Sequence, residues 1–102
     1  MLIEKSDPTT VYCFKLVNGD EVVARIVESD DSSYTITSPA TVMPSNQGIA
    51  LMQSLFSMKD GEKIRLSRNH VMMFCEVDPR MRDHYIKTVT GIQTVTKDKI
   101  II

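Results

Sequence analysis

The sequence is poor in the residue types that small catalytic and metal sites depend on. It has no tryptophan, 4 glycines, 2 histidines and 2 cysteines among 102 residues. It contains no glycine-rich phosphate loop and no G-x-S-x-G, H-E-x-x-H or paired-cysteine motif. We therefore expect a protein that is not an enzyme and that holds no metal ion and no organic cofactor.

A charge imbalance and a long apolar run are also missing. The 12 basic residues face 13 acidic ones, for a net charge of −1, whereas a general electrostatic binder of nucleic acid should be clearly basic. No apolar run approaches the roughly 20 residues of a membrane helix, and the first residues lack a signal-peptide pattern. The expectation is one soluble cytoplasmic domain without a membrane partner.

The two cysteines stand alone in apolar runs. Neither Cys13 nor Cys75 has a second Cys or a His at metal-ligand spacing. Buried free thiols are the favoured interpretation, and a disulfide is the alternative.

Residues 16–37 carry the strongest structural signal. An Asn18-Gly19 turn precedes the β-branched run 22–27, and an acidic turn at 29–32 separates that run from a third one. The pattern predicts antiparallel strands at 11–17, at about 21–28 and from near 33. The second strand is apolar on both faces, which favours a small barrel over a flat sheet.

The second half of the chain is less regular. Pro39 and Pro44 predict an edge strand or a bulge. Residues 49–58 fit a helix face or a strand face, and we favour a strand because 59–62 resembles a hairpin turn into 63–66. The apolar run 71–77 predicts a central last strand.

The ends of the chain are assigned by capping and periodicity. We predict an arm at 1–9, a barrel at 10–77, a helix at 78–93 and a tail at 94–102. Asp78 and Pro79 suit a helix start, and Gly91 suits its end. The apolar stripe of this helix consists of Met81, Tyr85, Val89 and Ile92.

One polar turn offers binding chemistry. Arg68, Asn69 and His70 combine a planar guanidinium fork, an amide and a stackable ring, which can hold a phosphate or an unstacked base. The alternative is that these groups only bond the turn backbone. The adjacent carboxylates Asp30 and Asp31 are expected to be solvated, and His84 to be an ordinary surface residue of the helix.

Two stretches resemble motifs of the Sm/LSm/Hfq family. The first runs from residue 16 to residue 30 and matches at Leu16, Asn18, Gly19, Val22, Ile26 and Asp30. The second is 66–71, where Asn69 and Val71 resemble the Sm form and His70 the bacterial form. Together they cover about a third of the chain, which as a whole resembles a cyanophage branch of the family with a C-terminal helix.

The resemblance implies a fold and a mode of assembly. The fold is a small open barrel of about five strongly bent antiparallel strands, and the subunits form homo-oligomeric rings by pairing edge strands. RNA binds in the family at the inner rim, through the turns that correspond to 30–34 and 68–70. The implied RNA-binding residues are Asp30, Asp31, Tyr34, Arg68, Asn69 and His70.

The chain departs from the family pattern at four places. Ser32 stands where the family has a stacking side chain, and Tyr34 where it has a base-reading Asn. Ala24 replaces the bend glycine, and Ser67-Arg68 only approximates the Arg-Gly pair. Tyr34 can offer a stacking ring instead, although a strand tyrosine is more often packed.

Three hypotheses follow. The first is an Sm-like ring that binds single-stranded RNA at its rim. The second is a structural or adaptor oligomer that binds protein partners and no nucleic acid. The third, a small hydrolase that uses His70, has the least support.

Overall fold

The computed structural model describes residues 4–5, 10–59 and 61–101, with side chains described for 10–59 and 61–90. Its elements are the strands β1 (Glu4–Lys5), β2 (Val11–Leu16), β3 (Glu21–Ser29), β4 (Ser33–Ser45), β5 (Gly48–Gln53), β6 (Lys63–Ser67) and β7 (Val71–Glu76), a 3₁₀ turn (Arg68–His70) and the helix α1 (Pro79–Ile101).

The strands form one antiparallel sheet in the order β5-β4-β3-β2-β7, with β1 paired to β3 and β6 paired to β4. This confirms the prediction of a mainly β protein with one C-terminal helix. The first three predicted strands correspond to β2, β3 and β4. The Asn18-Gly19 turn is also present: Gly19 has a φ of 97°, and Asp20 N donates to Asn18 Oδ1 at 3.0 Å.

The long strand β4 has two successive partners along its outer side. Its first five residues pair with β6, and residues 40–45 pair with β5. Residues 54–59 and 61–62 lie outside the sheet between these two partners. The predicted turn at 59–62 is present, since Glu62 N donates to Lys59 O at 3.2 Å. The predicted hairpin is wrong, because β5 and β6 both pair with β4. The strand predicted at 49–58 is confirmed only as far as Gln53.

Bulges bend the sheet, although the sequence has no glycine at the position where the family bends. Ser38 and Pro39 of β4 stand together opposite Ala24 of β3, which is the two-against-one count of a bulge. Val27 in β3 and Met72 in β7 mark two further register shifts. Bulges bend and twist a strand, so the sheet curves with alanine at position 24. The bulge predicted at Pro39 is confirmed, although β4 is not an edge strand.

Both faces of the sheet are covered by apolar side chains. Ala24 and Ile26 of β3 belong to one buried cluster, whereas Val23 belongs to a second. Successive residues of a strand point to opposite faces, which explains why β3 is apolar almost throughout. Tyr85 of α1 is fully buried in the second cluster. The helix therefore covers one face of the sheet.

Helix α1 begins as predicted and ends later. Met81 N donates to the cap carboxylate Asp78 Oδ1 at 2.8 Å. Met81, Tyr85 and Val89 contact the second cluster, whereas the side chain of Ile92 lies outside the described part. The helix passes Gly91 and reaches Ile101, so the predicted end and the separate tail are wrong. One glycine costs a helix only about 1 kcal/mol.

Two further predictions need correction: that residues 1–9 form an arm outside the sheet, and that the strand at 71–77 is central. Glu4 and Lys5 pair with Ser29 and Glu28, so the predicted arm contributes a short strand. Strand β7 is last in the sheet order, not central. Among the described residues, no helix combines the length and apolar character needed to cross a membrane.

Candidate functional site: a cluster of turns at one end of the sheet

Two turns that are far apart in sequence meet at the end of the sheet. Arg68 N donates to Ser32 O at 3.0 Å, directly beyond the paired residues Ser33 and Ser67. A third turn joins them, because Val17 N donates to the carbonyl of His70 at 2.9 Å. We call residues 17–20, 30–33 and 68–70 the turn cluster. The structure thus brings together the two segments that sequence reasoning singled out.

Asp30 acts as the organiser of its own turn. Its Oδ1 accepts hydrogen bonds from the main-chain N–H groups of Ser32 and Ser33, both at 2.8 Å, and from both serine hydroxyls. The bond from the Ser32 N–H, followed by that from Ser33, lowers the pKa of the Asp30 carboxyl below its usual value. The neighbouring Asp31 is exposed. Asp30 therefore has a structural role, and Asp31 faces solvent.

The 3₁₀ turn is held by its main chain and presents its side chains. Ser67 Oγ accepts a hydrogen bond from Asn69 N at 3.3 Å, and the His70 carbonyl accepts the bond from Val17. The side chains of Arg68, Asn69 and His70 are all exposed. The backbone thus fixes this segment while its donors and its imidazole remain available to a ligand.

Tyr34 does not present a free stacking surface. It is 6% exposed and packs against Phe14 and Phe74, with ring centroids 5.5 and 5.1 Å away. The guanidinium carbon of Arg68 lies 4.4 Å from the centroid of the Tyr34 ring, a cation–π contact. The tyrosine belongs to the core, and a base could stack there only after Arg68 moved.

Sequence reasoning missed Phe74, an exposed aromatic residue that packs against Tyr34. Its ring stacks on Phe14 at 5.8 Å with a 15° interplanar angle, yet 45% of the residue is exposed. The run 71–77 is apolar at almost every position, and such a pattern does not distinguish a central strand from an apolar edge. No signal in the sequence would have identified this residue.

The remaining candidate, His84, is exposed on α1, as predicted, and is not part of the turn cluster.

Arg65, which was not among the predicted site residues, contacts the turn cluster, because its Nη2 donates to Ser33 Oγ at 3.4 Å. Among the residues described, no group of three or more His, Cys, Asp or Glu side chains could hold a metal ion. The 3₁₀ turn at 68–70 therefore presents a guanidinium cation, an amide and an imidazole to solvent.

A scan against protein-family models finds no match, and no curated protein is significantly similar to this chain.

Proposed function

We propose that the protein is an Sm-like subunit that assembles head-to-tail into a homo-oligomeric ring and binds single-stranded RNA at the turn cluster. The observation that carries this proposal is the pair of sheet edges, which differ from each other and both bear exposed apolar side chains. The strand order and the 3₁₀ turn between β6 and β7 agree with the small open barrel that the resemblance implies.

The apolar residues at the first edge lie on β7. Met72, Met73 and Phe74 are 61%, 64% and 45% exposed. Consecutive strand residues point to opposite faces, so β7 is apolar on both sides. In the described sheet β7 pairs only with β2, which leaves its other side open. An edge of this kind is a template for another strand.

The second edge is formed by β5 and the residues that follow it. Ile49 and Met52 of β5 are 53% and 43% exposed, and Leu55 and Phe56 just beyond it are 48% and 74% exposed. Exposed apolar side chains concentrated in this way mark an interaction surface. Since the two edges differ, pairing β7 of one copy with β5 or β6 of the next is heterologous, and repetition closes a ring or extends a filament.

The RNA contact is assigned to the turn cluster by its chemistry. Arg68 supplies a planar cation for phosphate or base edges, Asn69 supplies donors and an acceptor, and His70 supplies a ring that can stack. The cluster has few positive charges, and the net charge is −1. We therefore expect modest affinity with a shallow salt dependence, since each neutralised phosphate adds to the slope.

Assembly is tested by measuring the mass of the particle in solution by light scattering. We expect a defined oligomer for the natural chain, and monomers for Met73→Glu and for Ile49→Glu, because a buried carboxylate at either edge opposes association. Val17→Glu is the matched control, since Val17 is 57% exposed but lies in a turn. A natural chain that remains monomeric at high concentration would contradict the ring.

RNA binding is tested by fluorescence anisotropy with labelled oligo-U and oligo-A at about 0.05 and about 0.2 M salt. Asn69→Ala and His70→Ala are the sharpest variants, because the bonds that hold this turn come from the main chain of both residues. We expect each of them, and Arg68→Ala, to weaken binding roughly tenfold. Arg80→Ala, an exposed arginine at the start of α1, should bind normally. An oligomer that binds neither RNA would overturn this half of the proposal.

The second candidate function is an adaptor that binds a protein partner. Phe56 favours it: this residue is 74% exposed and lies outside the described strands, so the main-chain bonds of strand pairing do not involve it directly. Under this hypothesis the natural chain binds no RNA. Phe56→Ser should then leave the oligomer intact and weaken binding of the protein partner.

A further inference from the structure

Two thiols face each other across the strand pair β2–β7. Cys13 and Cys75 are directly opposite in the register, with their Sγ atoms 3.6 Å apart and both residues free of a disulfide. Cys13 is half-buried and Cys75 is exposed, which corrects the sequence-based expectation that both thiols are buried. Facing positions on neighbouring antiparallel strands have Cα separations within the range that a disulfide spans.

The thiols open onto a groove of about 280 Å³, whose lining also includes Lys15, Glu21, Met73 and Phe74. Lys15 and Glu21 give this lining one basic and one acidic side chain. The exposed thiol of Cys75 can therefore be reached from solvent, whereas the thiol of Cys13 lies behind it.

We propose that Cys13 and Cys75 form a redox-active dithiol site, which a low-molecular-weight disulfide such as oxidised glutathione converts into an intramolecular disulfide joining β2 to β7. This inference is argued from the geometry of one subunit and does not depend on RNA binding. Because Met73 and Phe74 line the groove and also lie on the edge proposed for assembly, the reagent reaches Cys75 in a subunit whose β7 edge is free.

The reaction proceeds by two exchange steps that balance. The Cys75 thiolate attacks one sulfur of the reagent, the reagent's S–S bond breaks, and one glutathione thiolate leaves. The Cys13 sulfur then attacks Cys75 Sγ in the mixed disulfide and expels the second glutathione thiolate. Two electrons pass from the protein to the reagent, and the two thiol protons are taken up by the two released thiolates.

The order of the two steps follows from exposure. Burial, with the hydrogen bond to the facing thiol as the next cause, raises the pKa of Cys13 to about 11. Very little of Cys13 is therefore thiolate at neutral pH, and a buried thiol is also a poor target for a bulky reagent. Cys13 acts as the resolving residue because the sulfur of Cys75 is already beside it.

The test uses the reduced full-length protein in a series of glutathione redox buffers, followed by intact mass spectrometry. We expect the natural chain to lose the mass of two hydrogens and to retain no glutathione. Cys13→Ser should keep one glutathione on Cys75, because the resolving thiol is missing. Cys75→Ser should react at least about tenfold more slowly than Cys13→Ser. Accumulation of glutathione on the natural chain, or equal rates for the two variants, would overturn the proposal.

A second measurement does not depend on trapping the mixed disulfide. The oxidised natural chain should melt about 10 °C above the reduced chain, since the bond closes a long loop of the unfolded state. The double variant Cys13→Ser/Cys75→Ser serves as the control and should melt at the same temperature in both buffers. No difference in the natural chain would contradict a bond between β2 and β7.

Discussion

At the scale of single residues, Tyr85 connects the helix to the bulge. Its hydroxyl donates to the Ser38 carbonyl at 2.7 Å and approaches the Thr37 carbonyl at 3.3 Å. Both acceptors lie at or beside the bulge, where ladder bonding is interrupted. The tyrosine therefore gives the carbonyl of the bulge residue Ser38 a hydrogen-bond donor.

Removing this hydroxyl isolates its contribution. We expect Tyr85→Phe to lower the free energy of unfolding by about 1 kcal/mol, because a buried carbonyl loses its donor while the ring still packs. Tyr12→Phe makes the same chemical change at a half-buried position and should cost less than about 0.5 kcal/mol. Urea unfolding of both variants measures the two changes in the free energy of unfolding. Equal decreases would show that the hydroxyl of Tyr85 contributes no more than that of Tyr12.

The same residue makes stability depend on alkaline pH. Burial raises the pKa of Tyr85 from 10.0 to about 12. Its stabilising contribution is complete below pH 10 and is lost as pH rises towards 12, because the unfolded chain releases this proton first. The midpoint of urea unfolding should therefore fall less steeply above about pH 10 in Tyr85→Phe than in the natural chain. Parallel curves would contradict the assignment.

At the scale of elements, the bulge in β4 depends on one residue with an unusual backbone. Ser38 has a φ of 49°, in the left-handed region that costs most side chains on the order of 1 kcal/mol. We expect Ser38→Gly to be more stable than Ser38→Ala by about 1 kcal/mol, the reverse of the order in a regular strand. Thermal unfolding of the two variants tests this, and a more stable alanine variant would contradict the strained conformation.

This bulge also explains which elements were predictable from the sequence. The strands β2 and β3, their turn and the helix cap were all predicted, because each depends on neighbouring residues alone. The irregularity of β4 at Pro39 was predicted as an edge or a bulge. The continuation of β4 to Ser45 was not predicted, because it depends on pairing with β5. The pairing of both β5 and β6 with β4 depends on contacts across the sheet, and no local sequence pattern predicts such contacts.

The candidate site was likewise predictable from the sequence only where it depends on local residues. The motif residues located both turns, and the structure brings Arg68 to Ser32. Sequence could not establish that Tyr34 is buried beneath Arg68, or that Phe74 is exposed, because both facts depend on which strand lies at the end of the sheet. The identity of a residue suggests its chemistry, whereas its accessibility is a property of the whole fold.

At the scale of the whole molecule, the two proposed interactions should respond differently to salt. The edges are apolar, so raising the salt from about 0.05 to about 0.5 M should leave the mass of the oligomer unchanged or favour it. RNA contacts with Arg68 should weaken over the same range. Light scattering and anisotropy on one sample measure both. An oligomer that dissociates in salt would point to an interface held by charges.

The pairing of β2 with β7 also determines the order in which the chain can fold. Cys13 and Cys75, which face each other in the sheet, are separated by 61 intervening residues, whereas β4 and β5 are joined by a two-residue turn. Local hairpins close with little loss of chain entropy and distant pairs close late. During synthesis, β2 to β5 can form a meander while one side of β2 waits for the last strand to emerge. Nascent chains that end before residue 71 therefore leave one side of β2 unpaired, and we expect them to be more prone to aggregation than the full-length chain.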